Sequence, residues 1–240
     1  VSEPGEKRIL VKICGLKTPE TLEAAIEAGA DMIGLNFHPK SPRAVSIDLA
    51  GVLAGIARGR VRIVALAVDP ADAMLAAILD RVRPDLWQLH GQESIERLDM
   101  IRRSFGLPVI KAIGWSETGE TYGDVMACEH HADMLLLDAK PPRDAAYPGG
   151  HGRTFDWATL ADLAPAPEQV SGGVEFMLSG GLTPENVGDA IRTVRGMGLN
   201  LAGVDVSSGV ESAPGVKDLG KIRAFIAAVR ETERRMAEGE

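Results

Sequence analysis

Eight short runs of apolar, largely β-branched residues recur along this chain, with amphipathic stretches between them. The runs are Ile9–Ile13, Met32–Phe37, Val61–Val68, Leu86–Leu89, Val109–Ile113, Met134–Leu137, Val174–Leu178 and Leu201–Val206. Short apolar runs alternating with helical pattern predict buried strands and crossover helices. Parallel strands require such crossovers, because a tight turn cannot return the chain to the same end of the sheet. Eight units in 240 residues match a closed (β/α)8 barrel, the α/β fold expected here. An open doubly wound sheet is the competing arrangement, but its G-x-G-x-x-G turn after the first strand is absent. No composition shift marks a boundary, so residues 1–240 read as a single barrel domain, with 1–7 and 232–240 as frayed ends.

Local signals punctuate the helices. Thr18 before Pro19 is an N-cap followed by a residue preset for the first turn, and Gly29 marks that helix's end. Asp69–Pro70 and Thr183–Pro184 give similar starts, the latter leading to about Arg195. A further helix is expected over Ser94–Ser104, and a last one from about Val216 into the charged tail. Two Pro- and Gly-rich stretches, Lys140–Gly152 and Ala164–Gly173, interrupt the pattern. The first follows a strand and is expected on the catalytic face; the second follows a helix and reads as a peripheral insertion.

The formal charge is −8, from 26 basic and 34 acidic residues, with no basic stripe. Nucleic acid and anionic membrane are therefore not expected partners. No apolar run approaches the roughly 20 residues that span a bilayer, and the polar start does not resemble a secretion signal. Two cysteines do not make a secreted disulfide framework, so the chain reads as cytoplasmic with reduced thiols. The oligomeric state stays open between monomer and homodimer.

Catalytic groups of such a barrel lie at the C-terminal ends of the strands. Cys14 ends the first run before Gly15, and Asp138 ends the sixth. In a ring of eight these strands stand three places apart, so their tips face each other across the mouth. A thiolate and a carboxylic acid so placed form an acid–base pair. A small buried hydrophobe is the competing reading of Cys14, and a turn-capping residue that of Asp138. LSGGLTPEN after run seven and VDVSSGVE after run eight place Gly180, Gly181, Ser207 and Ser208 where this fold binds phosphate. Arg43 in SPRAVS could fork onto a carboxylate. Gln88 and His90 share one face of strand four; Lys12, Lys111 and Asp205 also point inward, with Lys12 and Asp205 expected to pair across strands one and eight. Cys128 with His130 and His131 lies late in a helical segment, away from the catalytic face, and no metal site is expected there.

The segments KICGL, AGADMIGLNFHPKSPRAVS, WQLHG, LLLDAKPP, PGGHGRTFDW, LSGGLTPENV and VDVSSGVE, in this order, resemble the phosphoribosylanthranilate isomerase family of tryptophan biosynthesis. The resemblance spans nearly the whole chain. It implies a (β/α)8 barrel that needs no metal or cofactor and rearranges a sugar-phosphate aminoaldose into an aminoketose. It further implies that Asp138 is the general acid, Cys14 the general base, and Arg43 the holder of the anthranilate carboxylate. Gly180, Gly181, Ser207 and Ser208 would bind the phosphate. Two departures stand out: His151, where the family often has Ser or Thr, and a long 140–148 segment. The histidine-pathway isomerase would place an aspartate at Cys14 and show two similar halves, and neither is found. Indole-glycerol-phosphate synthase would need a Lys and Glu set that cannot be placed. A non-catalytic sugar-phosphate binder would need no opposed acid and base.

Overall fold

A computed structural model describes residues 8–140, 149–150, 152, 154–164 and 174–239. Eight parallel strands close into a barrel in chain order. They are β1 (Leu10–Cys14), β2 (Met32–Asn36), β3 (Arg62–Ala67), β4 (Leu86–Leu89), β5 (Val109–Trp115), β6 (Met134–Ala139), β7 (Phe176–Leu178) and β8 (Leu201–Val206). The crossovers carry α1 (Pro19–Glu27), α2 (Ile47–Ala57), α3 (Asp72–Val82), α4 (Ile95–Phe105), α5 (Tyr122–Cys128) and α6 (Val187–Gly196). A 3-10 segment, Trp157–Leu163, takes the helix position between β6 and β7. The chain then forms β9 (Glu211–Ala213), β10 (Val216–Lys217) and α7 (Leu219–Ala237). Among the described residues no helix is long and apolar enough to cross a membrane.

Period-two alternation along the strands divides the core in two. One set of side chains packs between sheet and helices, including Ile13, Ile33, Trp87, Leu137 and Phe225. The alternate set fills the barrel's interior: Met32, Val64, Leu86, Ile110, Ala112, Leu136 and Met177. Full burial of such side chains contributes roughly 1.5–3 kcal/mol each, and that burial on both faces drives closure of the sheet.

The closing seam joins β1 to β8, with Lys12 directly opposite Asp205. Lys12 is wholly buried, and its Nζ donates to Asp205 Oδ1 at 2.7 Å. The expected pairing is present. The carboxylate and Cys14 outweigh the burial that would strip the ammonium's proton, so Lys12 is held charged.

Several helix starts follow the expected signals. Thr18 caps α1 with Pro19 behind it, and Ser94 caps α4 by accepting from Arg97 N. Other starts differ for identifiable reasons. Asp69 does not open α3: it sits at φ 45° and accepts from Gln92 N at 2.7 Å, tying the loop after β3 to the loop after β4. The Thr183–Pro184 signal makes a turn closed by Asn186, and α6 begins only at Val187. Val216 does not start the last helix. It pairs with Ala213 in an antiparallel hairpin, and Asp218 caps α7 by accepting from Lys221 N. Within 232–240, α7 continues to Ala237 with Thr232 buried, so the tail is helical well past the point assigned to fraying. The expected loose start at 1–7, the insertion at 165–173, the 141–148 segment and His151 lie outside the described residues.

Removing one charge of a buried pair leaves the other uncompensated, which costs about 3–5 kcal/mol. Asp205→Asn is therefore expected to lower unfolding stability by that order, read from urea titrations at neutral pH. Unchanged stability would mean that the pair does not hold the seam.

Candidate active site

One cavity of about 750 Å³, its open mouth included, lies at the C-terminal end of the barrel. Cys14, Asp138, Arg43, Gly180, Gly181, Ser207 and Ser208 all line it, as do Gln88 and His90. The fold thus gathers every residue singled out in the sequence for catalysis or binding. Cys128 belongs instead to the core outside the barrel, and His131 Nδ1 lies 3.1 Å from Asp99 Oδ1. Among the described residues no group of three or more His, Cys, Asp or Glu side chains is arranged to share a metal ion.

Strand parity places the thiol. Lys12 and Cys14 lie two apart on β1 and face the same way, while Gly34 stands beside Cys14 on β2. A Cβ at Gly34 would lie 2.8 Å from Cys14 Sγ and 3.2 Å from Lys12 Nζ, so sulfur and ammonium share one small space. Burial pushes the Cys14 thiol above its ordinary pKa. The Lys12 ammonium pulls it down, Asp205 adds to the rise, and Lys217 opposes it. The thiol pKa is not lowered, as general-base use would favour, because desolvation exceeds the help of the lysines.

Asp138, across the mouth on β6, is 5 % exposed. Burial first and the Asp205 carboxylate second push its pKa up to about 7, against the Ala139 N–H, Lys12 and Ser179. Near neutrality a large share of Asp138 therefore carries a proton that it can give away. Its Oδ2 lies 3.6 Å from His90 Nε2. The imidazole is neutral at physiological pH, since burial, Lys111, Lys12 and His38 push its pKa down to about 3. That proximity is not an ion pair. Lys111 reaches out of the barrel interior to Gly91 O and Glu93 Oε2, both at 2.7 Å, and so braces the loop that carries His90.

The loops after β7 and β8 interlock. Gly180 sits at φ 85°, and a Cβ there would meet Ala139 N at 2.5 Å, so only glycine lets this loop close onto the end of β6. Gly209 packs as tightly against the Leu182 carbonyl. Ser207 donates from Oγ to Cys14 O at 3.1 Å, tying the loop after β8 to the tip of β1.

Arg43 is buried at the cavity wall. Its Nε and Nη2 donate to Glu211 Oε1 and Oε2 at 2.8 and 2.9 Å, and Nη2 also donates to Gly150 O at 3.0 Å. Glu211 and Lys217 were not singled out from the sequence. The glutamate closes the VDVSSGVE segment, in which only the serines carry the phosphate reading, and the lysine sits where apolar spacing predicts the final helix. Asn36, His38, Ser41 and Ser179 complete the polar lining. Asn36 Oδ1 accepts from His38 N at 2.8 Å, and its amide donates to Ser41 Oγ, folding the loop that delivers Arg43.

A closed (β/α)8 barrel whose mouth sets a buried thiol against a half-protonated carboxyl group defines a class: barrel enzymes of acid–base chemistry on a small substrate. A family model described as N-(5'phosphoribosyl)anthranilate (PRA) isomerase matches residues 11–228. The chain belongs to this family. It is 51% identical over 228 residues to N-(5'-phosphoribosyl)anthranilate isomerase of Nitrobacter hamburgensis, covering 94% of each chain. Among solved structures it resembles the phosphoribosyl anthranilate isomerase of Thermotoga maritima, with TM-score 0.78 and 34% identity over 93% of this chain and 99% of the other. A second solved isomerase, held in complex with reduced 1-(o-carboxyphenylamino)-1-deoxyribulose 5-phosphate, matches with TM-score 0.74 and 32% identity over the same shares.

A carboxyl group with a raised folded pKa binds more protons folded than unfolded between the two pKa values, so stability falls as pH rises through that window. For Asp138 the window runs from 3.8 to about 7. Asparagine does not titrate. The stability of Asp138→Asn relative to the parent should therefore rise with pH, by up to about 1.4 kcal/mol per unit, and level off above the folded pKa. Urea unfolding of both proteins through this window checks it; parallel curves would show that Asp138 ionises normally.

Proposed function

We propose that the chain converts N-(5-phosphoribosyl)anthranilate into 1-(2-carboxyphenylamino)-1-deoxyribulose 5-phosphate, an Amadori rearrangement of tryptophan biosynthesis carried out in the cytoplasm. Family membership supports the reaction. The observation that carries the mechanism is the opposition of Cys14 and Asp138 in one cavity, with Asp138 poised to donate near neutral pH.

The substrate is an N-glycoside closed as a furanose. Asp138 gives its proton to the ring oxygen, the bond from that oxygen to C1 of the ribose breaks, and the nitrogen lone pair forms an iminium. That cation acidifies the proton on C2. Cys14, as the thiolate, removes it; the C–H electron pair becomes a C1–C2 double bond and the iminium pair returns to nitrogen. The enolamine then loses its enol proton and gains one at C1, giving the ketone. The atoms of substrate and product balance without oxidant or reductant. Lys12 beside Sγ favours the thiolate, and the neutral His90 leaves the proton of Asp138 available to substrate.

The loop of Gly180 and Gly181, with Ser207 and Ser208, is assigned to the phosphate, and Arg43 to the anthranilate carboxylate. These groups line the same cavity as the acid and base, which suits a ligand with a charged group at each end. Residues 1–240 act as one barrel domain in this reading.

Turnover can be followed by loss of the anthranilate fluorescence of freshly generated substrate. Cys14→Ala and Asp138→Asn should each lower kcat by about 10²–10⁴-fold while the protein stays folded. Near-normal turnover in either would refute that residue's role, and a folded parent without turnover would favour a binding protein. Arg43→Ala should chiefly raise KM. The pH profile follows from the two shifts. Asp138 has the lower pKa and Cys14 the higher, so between them the pair holds one proton, mostly on the thiol, and the productive form with Asp138 protonated and Cys14 ionised is a constant minor share. kcat/KM should rise to a plateau near pH 7 and fall only above the raised thiol pKa. An alkaline limb near pH 7 would instead make the thiol the lower of the two.

A further inference from the structure

Arg43 lies in a slot whose walls come from three different loops. A Cβ at Gly15, in the loop after β1, would lie 2.8 Å from Arg43 Cδ, and one at Gly150 would lie 2.5 Å from Arg43 Nη1. The stem and the guanidinium head are thus in contact with backbone at both ends. Glu211, from the hairpin after β8, takes the fork at 2.8 and 2.9 Å. The carboxylate is itself fixed: Gly215 N donates to Oε2 at 3.1 Å, and Lys217 Nζ donates to Oε1 at 2.8 Å. Lys217 also donates to Ser207 O at 2.7 Å, and Lys221 Nζ donates to Glu211 O at 2.8 Å. Arg43, Glu211 and Lys217 are each less than a tenth exposed.

We propose that Glu211 is the positioning residue for Arg43, and through it a determinant of specificity for a substrate that carries a carboxylate. The inference rests on the assignment of the anthranilate carboxylate to Arg43. Two physical points support it. An arginine loses rotamer freedom when held, and a guanidinium already fixed by a bidentate carboxylate does not lose it again when substrate arrives. The β9–β10 hairpin lies outside the barrel sheet, and its buried side chains run to the mouth, Glu211 to Arg43 and Lys217 to Ser207.

Glu211→Gln separates positioning from simple charge balance. Removing the negative charge strengthens the raw attraction of Arg43 for an anion, whereas releasing the fork weakens its aim. Positioning predicts that KM for phosphoribosylanthranilate rises about tenfold while kcat changes less than about threefold. The probe for specificity is N-(5-phosphoribosyl)aniline, identical but for the missing carboxylate. Its kinetics should change less than about threefold in the same variant. In an Arg43→Ala background, Glu211→Gln should add nothing to KM. Glu211→Asp keeps the charge and shortens the reach by one methylene, so it should show a smaller, equally selective rise, and it is the variant to read if Gln does not fold.

A KM that is unchanged or lower, an equal loss on both substrates, or additive effects in the double variant would overturn the proposal. So would failure of both Glu211 variants to fold, which would make the residue purely structural. The underlying assignment is read separately: if Arg43→Ala alone affects the two substrates equally, Arg43 is not the carboxylate's partner. If Arg43→Ala is selective and Glu211→Gln is not, only the positioning role fails.

Discussion

The seam between the first and last strands is the constraint on which the rest of this structure depends. Until β8 pairs with β1, the tips of β1 and β6 have no defined relation. Once the ring closes, they stand three places apart and face one another. Lys12 and Asp205 meet at that seam at 2.7 Å, where both charges are buried. Such a pair adds little net stability over an apolar one, but it penalises any register that separates the charges. It also sets the electrostatics of the mouth, because Lys12 touches the thiol's surroundings and Asp205 faces both reacting groups.

Burial then does most of the tuning. Asp138, Cys14 and His90 are all removed from water, and desolvation disfavours whichever form is charged. It raises the carboxyl and the thiol and lowers the imidazole. The outcome is a site whose thiol and imidazole are uncharged at neutral pH and whose carboxyl group is only partly ionised, beside the lysine–aspartate pair.

A second network surrounds the first. Lys217 joins Glu211 to Ser207, and Ser207 joins the tip of β1, so the hairpin after β8 touches both the arginine slot and the loop assigned to phosphate. On the far side, Asp69, Glu93 and Lys111 lock the loops after β3 and β4 around His90. Each network fixes a βα loop by side chains from a neighbouring one. The barrel scaffold thereby holds loop groups nearly as firmly as strand groups.

Local pattern decided a good deal. Strand periods, the Thr18 and Ser94 caps, and the parity that turns Lys12, Cys14, Gln88, Asp138 and Asp205 inward are all properties of a few neighbouring residues, so they could be read directly. Motif resemblance added the roles of Arg43 and of the glycine and serine loops. The hairpin at Glu211–Lys217 could not be read this way, because Val216 onward has the apolar spacing of a helix start and only its pairing with β9 shows otherwise. Nor could the delayed starts of α3 and α6, where Asp69 and Thr183 spend their capping capacity on loop contacts far away or just ahead. The partner of Arg43 lies 168 residues along the chain, and the raised pKa values of Cys14 and Asp138 come from burial by several strands at once. Sequence by itself determined the elements, the barrel and the identities of the reacting groups, since these follow from short-range chemistry. Tertiary structure alone decided which charges meet, which groups lose their water, and therefore which proton each holds, because desolvation and Coulomb energies depend on distances that no local pattern records.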